Sequence, residues 1–319
     1  MGKEIIIVTI SLGNDGAERI LTELARQWHH DGHKITVIQT SPNRYGTEYA
    51  LPEGIEQIQI HTTSSNKILR FLQEIKALIG ILKQRPNATC LSFLSASSFI
   101  LAISSWFVNN RIVFSERNNP RKVPVGKHQQ MLRDFAFRFA DAIVFQTEDA
   151  KSYFSNSIQR RGYIIPNPIN GNLPEPYEGE REKIIVTACR LHPQKNLSMM
   201  INAFSMLADE FKEYKLVIYG QGVLEDQLRQ QIADLGLNDR VLLPGFATNI
   251  LEQERPCTMF VSSSDFEGIS NSMLEAMGMG LPVVVTDCPV GGARMVIQDG
   301  INGLLVPVGD TKMMYEKMK

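Results

Sequence analysis

Cysteine is scarce in this 319-residue chain, and nothing in its spacing suggests a cross-link or a metal site. The four cysteines are far apart and form no Cys-x-x-Cys pair, and the six histidines show no spacing typical of metal ligands. Three of the cysteines lie in or beside apolar, strand-like runs. Buried, reduced thiols in a cytoplasmic protein are therefore expected, rather than disulfides or a bound metal. The four are Cys90, Cys189, Cys257 and Cys288.

Long hydrophobic runs are scarce as well. The apolar run in the N-terminal "MGKEIIIVTI" is too short for a signal peptide and predicts a first strand. Residues 87–110 contain no charged residue, and this uncharged stretch is long enough to span a bilayer. Six serines interrupt this stretch, however. A buried strand followed by a Ser-capped helix is the favoured interpretation, and a transmembrane span is the alternative.

The net charge of the chain is only −1, but the charge is unevenly distributed. Up to Gly171 there are 20 lysines and arginines against 14 acidic residues, and beyond it 13 against 20. A basic half beside an acidic half suggests that the first half faces an anionic partner, such as a membrane surface or a phosphorylated lipid. Chance distribution of surface charge is the alternative, and nucleic acid is not an expected partner.

Short apolar strands alternate with amphipathic segments of helical length along the chain. "EIIIVTI", "KITVIQT" and "RIVFSE" belong to a first series, and "KIIVTACR" and "KLVIYG" to a second. The Pro- and Gly-rich run "YIIPNPINGNLPEPYEGE" separates the two series and is predicted to be a linker. This alternation predicts an α/β protein with two Rossmann-like, doubly wound domains, residues 1–168 and 169–319, facing each other across a cleft. Ligands are expected beyond the carboxyl ends of the strands.

The segment "FEGISNSMLEAMGMG", residues 266–280, places two glutamates eight positions apart around a predicted helix start. Ser270 or Asn271 provides the N-cap, and the glycines end the helix. Glu267 then precedes the helix, while Glu275 lies about one turn inside it. Free backbone N–H groups at a helix N-terminus bind anions. The predicted ligand is therefore a diphosphate with a hydroxyl-rich group at each end.

Two carboxylates beside a diphosphate need compensating cations. "ACRLHPQKN" follows the first strand of the second series and supplies Arg190 and Lys195 on a short loop before a helix capped by Asn196. His192 lies between the two cations and is an additional candidate for ligand contact. Taken alone, either cation would be interpreted as an unrelated charge on a surface loop. Both, however, follow a strand in the same half of the chain as the glutamate pair, and this shared location favours diphosphate binding.

The combination of Arg190 and Lys195 with Glu267 and Glu275 at E-x7-E spacing resembles the donor site of GT-B glycosyltransferases of family 4, the group 1 glycosyltransferases. "EGISNSMLEAMGMGLPVVVTD" is similar to the signature segment of that family, and "SLGNDGAERILTELA" to its N-terminal glycine loop. "SERNNPRK" resembles the strand-exit motif of members that transfer galactose-type or N-acetylhexosamine sugars. The resemblance covers nearly the whole chain. It implies a retaining transferase that uses a UDP-sugar without a cofactor or a required metal.

The resemblance also implies individual roles. Glu267 would hold hydroxyls of the transferred sugar and Glu275 those of the ribose. Arg190 and Lys195 would stabilise the leaving diphosphate, so that they and Glu267 form the predicted catalytic group. The other predicted donor contacts are Gly16 in the glycine loop, Gly245 and Phe246 beside the uracil, and Ser270, Asn271 and Ser272 at the helix N-terminus. Asp15 stands where the family usually has a second glycine.

The segment from Arg111 to Arg138 carries seven basic and two acidic residues, interleaved with phenylalanines. A phosphorylated, lipid-linked acceptor at a membrane surface would explain both features, and a solvated helix with core aromatics is the alternative. With the resemblance, the segment implies a glycan or polyprenyl-diphosphate-linked acceptor and peripheral contact with the inner face of the cell membrane. Glu116, Arg117 and Asn118 are the predicted acceptor-side residues, and many relatives have His at the position of Arg117.

Three other functions compete with glycosyl transfer. A nucleotide-sugar epimerase shares the two-domain architecture. A glycosidase also uses paired carboxylates, but it needs one as a proton donor and has no use for an anion-binding helix end beside two cations. Members of the family usually continue past residue 319 with helices that pack the C-terminal domain. The C-terminal end is therefore expected to be truncated, and a non-catalytic nucleotide-sugar-binding fragment is the third alternative.

Overall fold

The chain divides into two compact units. The computed structural model describes residues 2–13, 16–41, 50–93, 95–169 and 171–319. Unit 1 is Met1–Pro166 and unit 2 is Asn167–Lys319. This division falls next to the one predicted from sequence, between Pro168 and Ile169.

Unit 1 is built on a parallel sheet of seven strands with helices between most of them. The strands are β1 (Glu4–Thr9), β2 (Lys34–Gln39), β3 (Glu56–Gln59), β4 (Thr89–Ser92), β5 (Arg111–Glu116), β6 (Ala142–Phe145) and β7 (Gly162–Ile164). The helices are α1 (Gly16–His30), α2 (Lys67–Lys83), α3 (Ser95–Ser104), α4 (Lys127–Phe137), α5 (Glu148–Ser152) and α6 (Asn156–Gln159), with a 3-10 helix at Ser105–Phe107. The strand order is β3-β2-β1-β4-β5-β6-β7.

Unit 2 repeats this architecture with a parallel sheet of six strands. The strands are β8 (Glu182–Ala188), β9 (Lys215–Tyr219), β10 (Val241–Gly245), β11 (Cys257–Ser262), β12 (Val283–Thr286) and β13 (Leu304–Val306). The helices are α7 (Leu197–Glu210), α8 (Glu225–Asp234), α9 (Ile250–Glu254), α10 (Asn271–Gly278) and α11 (Thr311–Met318), with a 3-10 helix at Pro193–Lys195. The strand order is β10-β9-β8-β11-β12-β13.

The predicted α/β class with two doubly wound parallel sheets is confirmed. One detail of the prediction is wrong: the first residues of the predicted linker, Tyr163 and Ile164, belong to β7, which pairs with β6 at the sheet edge. The uncharged stretch 87–110 divides as expected into a strand, β4, and a helix, α3. Within the described ranges, no helix is both long and apolar enough to cross a membrane.

Apolar strand residues fill the cores because both faces of each parallel sheet are covered by helices. In unit 1, helices α2, α3 and α4 pack in one cluster on one face, while α1 packs in a separate cluster. The four cysteines are free thiols, as expected, with Cys189 half-buried and the others buried. Burial raises the pKa of the Cys90, Cys257 and Cys288 thiols to about 12 and that of Cys189 to about 11.

Each sheet has one point at which the strand order reverses. In unit 2 the reversal lies between β8 and β11, which are neighbours in the sheet although two strands, β9 and β10, lie between them in sequence. Loops leaving such a pair run to opposite sides and open a crevice at the carboxyl edge, where doubly wound sheets bind ligands. Arg190 and Lys195 follow β8, and Glu267 follows β11. The topology therefore brings the predicted cations and the first predicted carboxylate to one crevice.

Candidate active site

The loop after β11 ends at the N-terminus of α10. Ser270 is the N-cap, with extended backbone angles, and its Oγ accepts a hydrogen bond from the N–H of Met273 at 3.4 Å. The side-chain amide of Asn167 donates to Asn271 Oδ1 at 2.6 Å and to the Ile269 carbonyl at 2.9 Å, which fixes the approach to the helix. The N-cap predicted at Ser270 or Asn271 is thus Ser270. The first turn of α10 presents backbone N–H groups that can bind an anion.

The two glutamates occupy different environments around this helix. Glu267 lies in the loop before α10, where its side chain is 16% exposed. Glu275 is the fifth residue of the helix and is 4% exposed. The first carboxylate can therefore reach a ligand in the crevice directly, while the second lies deeper along the helix.

The loop after β8 turns through a 3-10 helix into α7. Asn196 joins the two helices in the left-handed conformation, with φ of 43°, which Asn tolerates better than most residues. Its side-chain oxygen accepts from the N–H of Met199 at 3.4 Å and so caps α7. The cap predicted for this helix is confirmed. Lys195 is the last residue of the 3-10 helix, and Arg190 is an exposed residue at the start of the loop.

The loops after β8 and β11 are hydrogen-bonded to each other. The N–H of Asp265 donates to the Gln194 carbonyl at 2.9 Å, and the Asn196 amide donates to Asp265 Oδ1 at 2.7 Å. Ser263 Oγ donates to the Lys195 carbonyl at 2.8 Å. These bonds join both backbones on the two sides of the crevice, so the side chains that project from them are held in a fixed relation.

The carboxylate of Glu267 is the centre of this arrangement. Lys195 Nζ forms an ion pair with Glu267 Oε1, and Ser264 Oγ donates to the same oxygen at 2.9 Å. The amide of Gln194 donates to Glu267 Oε2 at 3.2 Å. Burial by itself would lower the pKa of Lys195, but the Glu267 carboxylate outweighs it and holds that pKa above its ordinary value. Lys195 is therefore a cation at neutral pH, available to a negatively charged ligand.

Two glycines allow the neighbouring backbone to support these loops. A Cβ at Gly220, where φ is 134°, would lie 1.8 Å from the carbonyl oxygen of Cys189, next to Arg190. A Cβ at Gly292 would lie 1.9 Å from the carbonyl oxygen of Gly268, next to Glu267. Only glycine fits such an approach. The role of these two glycines in supporting the loops was not predicted, because a contact between separate loops leaves no mark in either loop's own sequence.

The loop after β10 carries the two residues predicted to lie beside a base. Gly245 is the last residue of β10, has φ of 88°, and accepts a hydrogen bond from the N–H of Gly220 at 2.9 Å. The ring of Phe246 is 58% exposed. Because β10 and β9 extend the sheet outward from β8, this exposed ring lies along the same carboxyl edge as Arg190. Its contact with uracil stays a prediction.

In unit 1, the predicted acceptor-side residues form the exit of β5. Glu116 Oε1 accepts from the N–H groups of Arg117 and Asn118 at 3.1 and 3.3 Å, and Oε2 accepts from Arg133 at 3.3 Å. Burial raises the pKa of Glu116 to about 7, although Arg133 and the two N–H groups act in the opposite direction. Glu116 thus anchors its own loop, a role that the sequence did not predict. Its contact with an acceptor stays a prediction.

The other predicted residues of unit 1, Arg117 and Gly16, follow strands β5 and β1, which lie on either side of β4 in the sheet. The guanidinium of Arg117 lies 4.8 Å from the ring centroid of Phe93, which follows β4. Burial lowers the pKa of Arg117 to about 10, with Glu116 opposing the shift, so the side chain remains charged at neutral pH. Gly16 is the first residue of α1, and Asp15 lies outside the described residues. The predicted approach of Gly16 to a phosphate stays a prediction.

Comparison with protein-family models identifies the chain. The model for glycosyl transferases group 1 matches residues 182–319, and the model for glycosyltransferase family 4 matches residues 14–172. The two matches together cover most of both units, and the predicted resemblance to this family is confirmed. The chain belongs to the family 4, group 1 glycosyltransferases, and its fold is GT-B.

Individual relatives agree with this assignment. An N-acetylgalactosaminyltransferase of Campylobacter jejuni, whose name specifies an N-acetylgalactosamine-N,N'-diacetylbacillosaminyl-diphospho-undecaprenol acceptor, is 29% identical over 98% of this chain and 88% of its own length. A second Campylobacter jejuni N-acetylgalactosaminyltransferase is 24% identical over 99% of this chain and 88% of its own length. The crystal structure of Anabaena Alr3699/HepE in complex with UDP superposes with a TM-score of 0.82 at 20% identity, covering 98% of this chain and 88% of that one.

Proposed function

We propose that this glycosyltransferase transfers a hexose or N-acetylhexosamine from a UDP-sugar to a glycan or lipid-linked acceptor in surface polysaccharide synthesis, with retention of the anomeric configuration. The observation that carries the proposal is the ion pair between Lys195 and Glu267 at the crevice of unit 2, beside the N-terminus of α10. A cation, an anion-binding helix end and a hydrogen-bond-accepting carboxylate in one crevice match a sugar joined to a diphosphate.

Each group has a defined place in this mechanism. The diphosphate would bind the N–H groups of the first turn of α10, including that of Ser272, and the side chains of Arg190 and Lys195. Negative charge grows on the diphosphate as the bond to the sugar breaks, and fixed cations stabilise that charge most in the transition state. Glu267 would accept hydrogen bonds from hydroxyls of the transferred sugar, and Glu275 from the ribose.

We also propose that the reaction requires no metal ion. Arg190 and Lys195 are both placed on the loop after β8, and the helix N-terminus adds a partial positive charge. These groups can neutralise the leaving diphosphate without a divalent cation. Transfer should therefore persist in excess EDTA, and loss of transfer that Mg²⁺ or Mn²⁺ restores would contradict this part of the proposal.

The choice of donor and acceptor is supported by the relatives. Alr3699/HepE has been crystallised with UDP and glucose and with UDP-glucose, which favours a UDP-sugar as the donor. The two Campylobacter jejuni relatives act on undecaprenyl-diphosphate-linked glycans by their names, which favours a lipid-linked acceptor. The basic segment from Arg111 to Arg138 is consistent with such an acceptor.

Contact of unit 1 with a membrane surface forms part of the proposal. Helices α2, α3 and α4 lie side by side, and we call their outward side the three-helix face. Exposed apolar side chains on it are Ile68, Leu69 and Leu72 on α2, Trp106 and Phe107 after α3, and Met131, Leu132 and Phe135 on α4. Apolar side chains grouped in this way are unusual on a soluble surface and are typical of interaction sites.

The charges on the three-helix face indicate an anionic partner. Exposed lysines and arginines on or next to α2 and α4 are Lys67, Arg70, Lys76, Lys83, Lys127 and Arg138. Of the two acidic residues on these helices, Glu74 is 8% exposed and Asp134 pairs with the buried Arg133 at 2.8 Å. Apolar and aromatic side chains surrounded by cations are suited to an anionic bilayer surface.

Vesicle binding tests this surface separately from catalysis. The protein should co-sediment with vesicles that contain phosphatidylglycerol and less with vesicles of phosphatidylcholine alone. Replacing Leu132 and Phe135 by Ser should reduce binding, whereas the same change at Val223 and Ile301, which are more exposed but lie in unit 2, should not. Equal binding by both double variants would contradict the assignment of the surface.

The transferase proposal is tested by UDP release from a panel of UDP-sugars, with and without membrane extract, using Arg190→Ala as the blank. Acceptor-dependent release with one sugar would establish transfer and name the donor, and NMR of the product anomer would test retention. Interconversion of UDP-sugars without release would indicate an epimerase. UDP binding without either reaction would indicate a binding protein, and no binding would refute the donor site.

A further inference from the structure

Gln194 lies at the point where the two loops of the crevice meet. The side chain follows the turn after β8, one residue before Lys195, and the residue is 6% exposed. A buried amide of this kind carries two donor hydrogens and one acceptor oxygen, and each needs a partner. The partners of Gln194 show what it holds in place.

Both donors of the Gln194 amide are directed at the loop after β11. Nε2 donates to the Phe266 carbonyl at 2.8 Å and to Glu267 Oε2 at 3.2 Å. In addition, the backbone carbonyl of Gln194 accepts from the N–H of Asp265 at 2.9 Å. One residue of the first loop therefore contacts three successive residues of the second and reaches the carboxylate itself.

The oxygen atoms of Glu267 are divided between two sets of donors. Oε1 is held by Lys195 and by Ser264 at 2.9 Å, whereas the contact to Oε2 comes from Gln194. A carboxylate fixed through one oxygen can still rotate about its Cγ–Cδ bond, because that torsion is broad. A donor on the second oxygen sets the plane of the carboxylate and so the direction of the remaining lone pairs.

We propose that Gln194 is a positioning residue for glycosyl transfer, which orients the Glu267 carboxylate toward the hydroxyls of the transferred sugar. The inference rests on the proposed function of Glu267. Gln194 does not touch the reacting atoms. It acts on the part of the donor that distinguishes a UDP-sugar from UDP, and so affects sugar recognition and turnover but not diphosphate binding.

Gln194→Glu is the informative substitution because the side chain keeps its shape while the donor amide is replaced by a carboxylate that only accepts hydrogen bonds. The new carboxylate would face the carboxylate of Glu267 and the Phe266 carbonyl, where only acceptors meet. Two carboxylates at this distance cannot both ionise easily, so the pKa of one rises. Protonation supplies the missing donor hydrogen, and function should return as the pH falls.

The expected result for Gln194→Glu is a fall in kcat of about tenfold or more near pH 8, in line with loss of a hydrogen bond to a charged group. Part of that loss should be recovered toward about pH 6. UDP affinity should stay within about threefold of the wild type, while the preference for UDP-sugar over UDP declines. Gln194→Met removes the donor without adding a charge. It should lower kcat without the acid recovery, which keeps the test decisive if the Glu variant folds poorly.

Gln231→Glu is the matched control. Its amide also donates two hydrogen bonds, to the Ser198 carbonyl at 3.1 Å and to Asn202 Oδ1 at 2.8 Å, but it joins α8 to α7 away from Glu267. The control should show any general cost of replacing a bonded amide, with an unchanged pH profile and an unchanged preference for UDP-sugar over UDP.

Two results separate this inference from the proposed function. If the wild type binds UDP-sugar more tightly than UDP but transfers nothing, the proposed function fails, and the binding preference of Gln194→Glu still decides the positioning role. If the wild type transfers sugar and Gln194→Glu matches it in kcat, pH profile and binding preference, the positioning role is refuted while the proposed function stands.

Discussion

Replacing Arg133 by Met should destabilise unit 1 severely. Six other basic residues lie in the same segment, between positions 111 and 138, but Arg133 differs from them in its environment. Arg133 is 1% exposed and is among the largest fully buried side chains of the described residues. Its guanidinium donates to Glu116 at 3.3 Å, to the carbonyls of Pro120 and Val123 at 2.9 and 2.6 Å, and to Asp134 at 2.8 Å. It therefore holds the loop that follows β5 onto helix α4.

The magnitude follows from what the substitution leaves behind. Met has similar volume but no donor, so the buried Glu116 loses its cation and two carbonyls lose their partner. Breaking a buried ion pair by removing one partner costs about 3–5 kcal/mol. For a unit of this size, each kcal/mol shifts the melting temperature by about 2–4 °C, so a fall of about 10 °C is expected.

The deficit should also depend on pH. Burial already raises the pKa of Glu116 to about 7 from 4.5, and loss of Arg133 would raise it further. A carboxyl whose pKa rises on folding binds its proton more tightly in the folded state, so its ionisation lowers the free energy of unfolding as the pH rises. Arg133→Met should therefore be more destabilising near pH 8 than near pH 5, since protonation of Glu116 removes the buried charge.

Tryptophan fluorescence is the appropriate assay. Both tryptophans, Trp28 and Trp106, lie in unit 1 and report its unfolding alone. Arg138→Met is the control, because Arg138 is exposed one residue beyond α4 and should change the free energy of unfolding by no more than about 0.5 kcal/mol. A melting temperature within about 3 °C of wild type for Arg133→Met, or an equal cost for both variants, would refute the reasoning.

Three further predictions follow from the crevice and the thiols. Glu267→Ala should lower transfer by about a hundredfold or more while UDP affinity changes little. Equal losses of transfer and of UDP affinity would contradict the proposed contact of Glu267 with the transferred sugar. Gly220→Ala should weaken UDP binding in a titration, because its Cβ would displace the carbonyl of Cys189 beside Arg190. Gly80→Ala, in an open helical position, should instead stabilise the protein by up to about 1 kcal/mol. The three buried thiols, Cys90, Cys257 and Cys288, whose pKa values burial raises, should react slowly with a thiol reagent near pH 8 until the protein is unfolded, and rapid reaction of any of them in the native protein would contradict their burial.

The elements were predictable where a local rule decides the structure. β-branched runs such as "EIIIVTI" gave the strands, and the Ser-Asn-Ser cluster before an apolar helical pattern gave the N-cap at Ser270. The loops that carry Arg190, Lys195 and Glu267 were found because parallel strands place their exits on one edge of the sheet. Strand β7 was missed because its three residues pair only with β6 and are followed by prolines that indicate a linker.

Residues whose role depends on a distant partner were not predictable. The basic segment had two interpretations, a surface for a phosphorylated acceptor and a solvated helix with core aromatics. Neither distinguished Arg133, which is buried, from Arg138, which is exposed. The phenylalanines divide in the same way: Phe137 belongs to the core at 2% exposure, whereas Phe135 is exposed and packs against Trp106 at 6.4 Å. With 3.6 residues per turn, positions two apart on a helix face different directions, and the choice of buried direction is made by the sheet.

The Lys195–Glu267 pair explains how the crevice can hold charges of both signs before a ligand binds. Half-buried charges are costly alone, and each of these two compensates the other. An ammonium group carries three donor hydrogens, and Glu267 occupies only part of that capacity. In the proposed mechanism Lys195 therefore need not leave Glu267 to bind a phosphate. It would bridge the two, with the sugar on the carboxylate side and the diphosphate on the other. The bond to be broken, between sugar and diphosphate, would then lie beside this preformed ion pair, with Glu267 contacting the sugar and Lys195 the diphosphate.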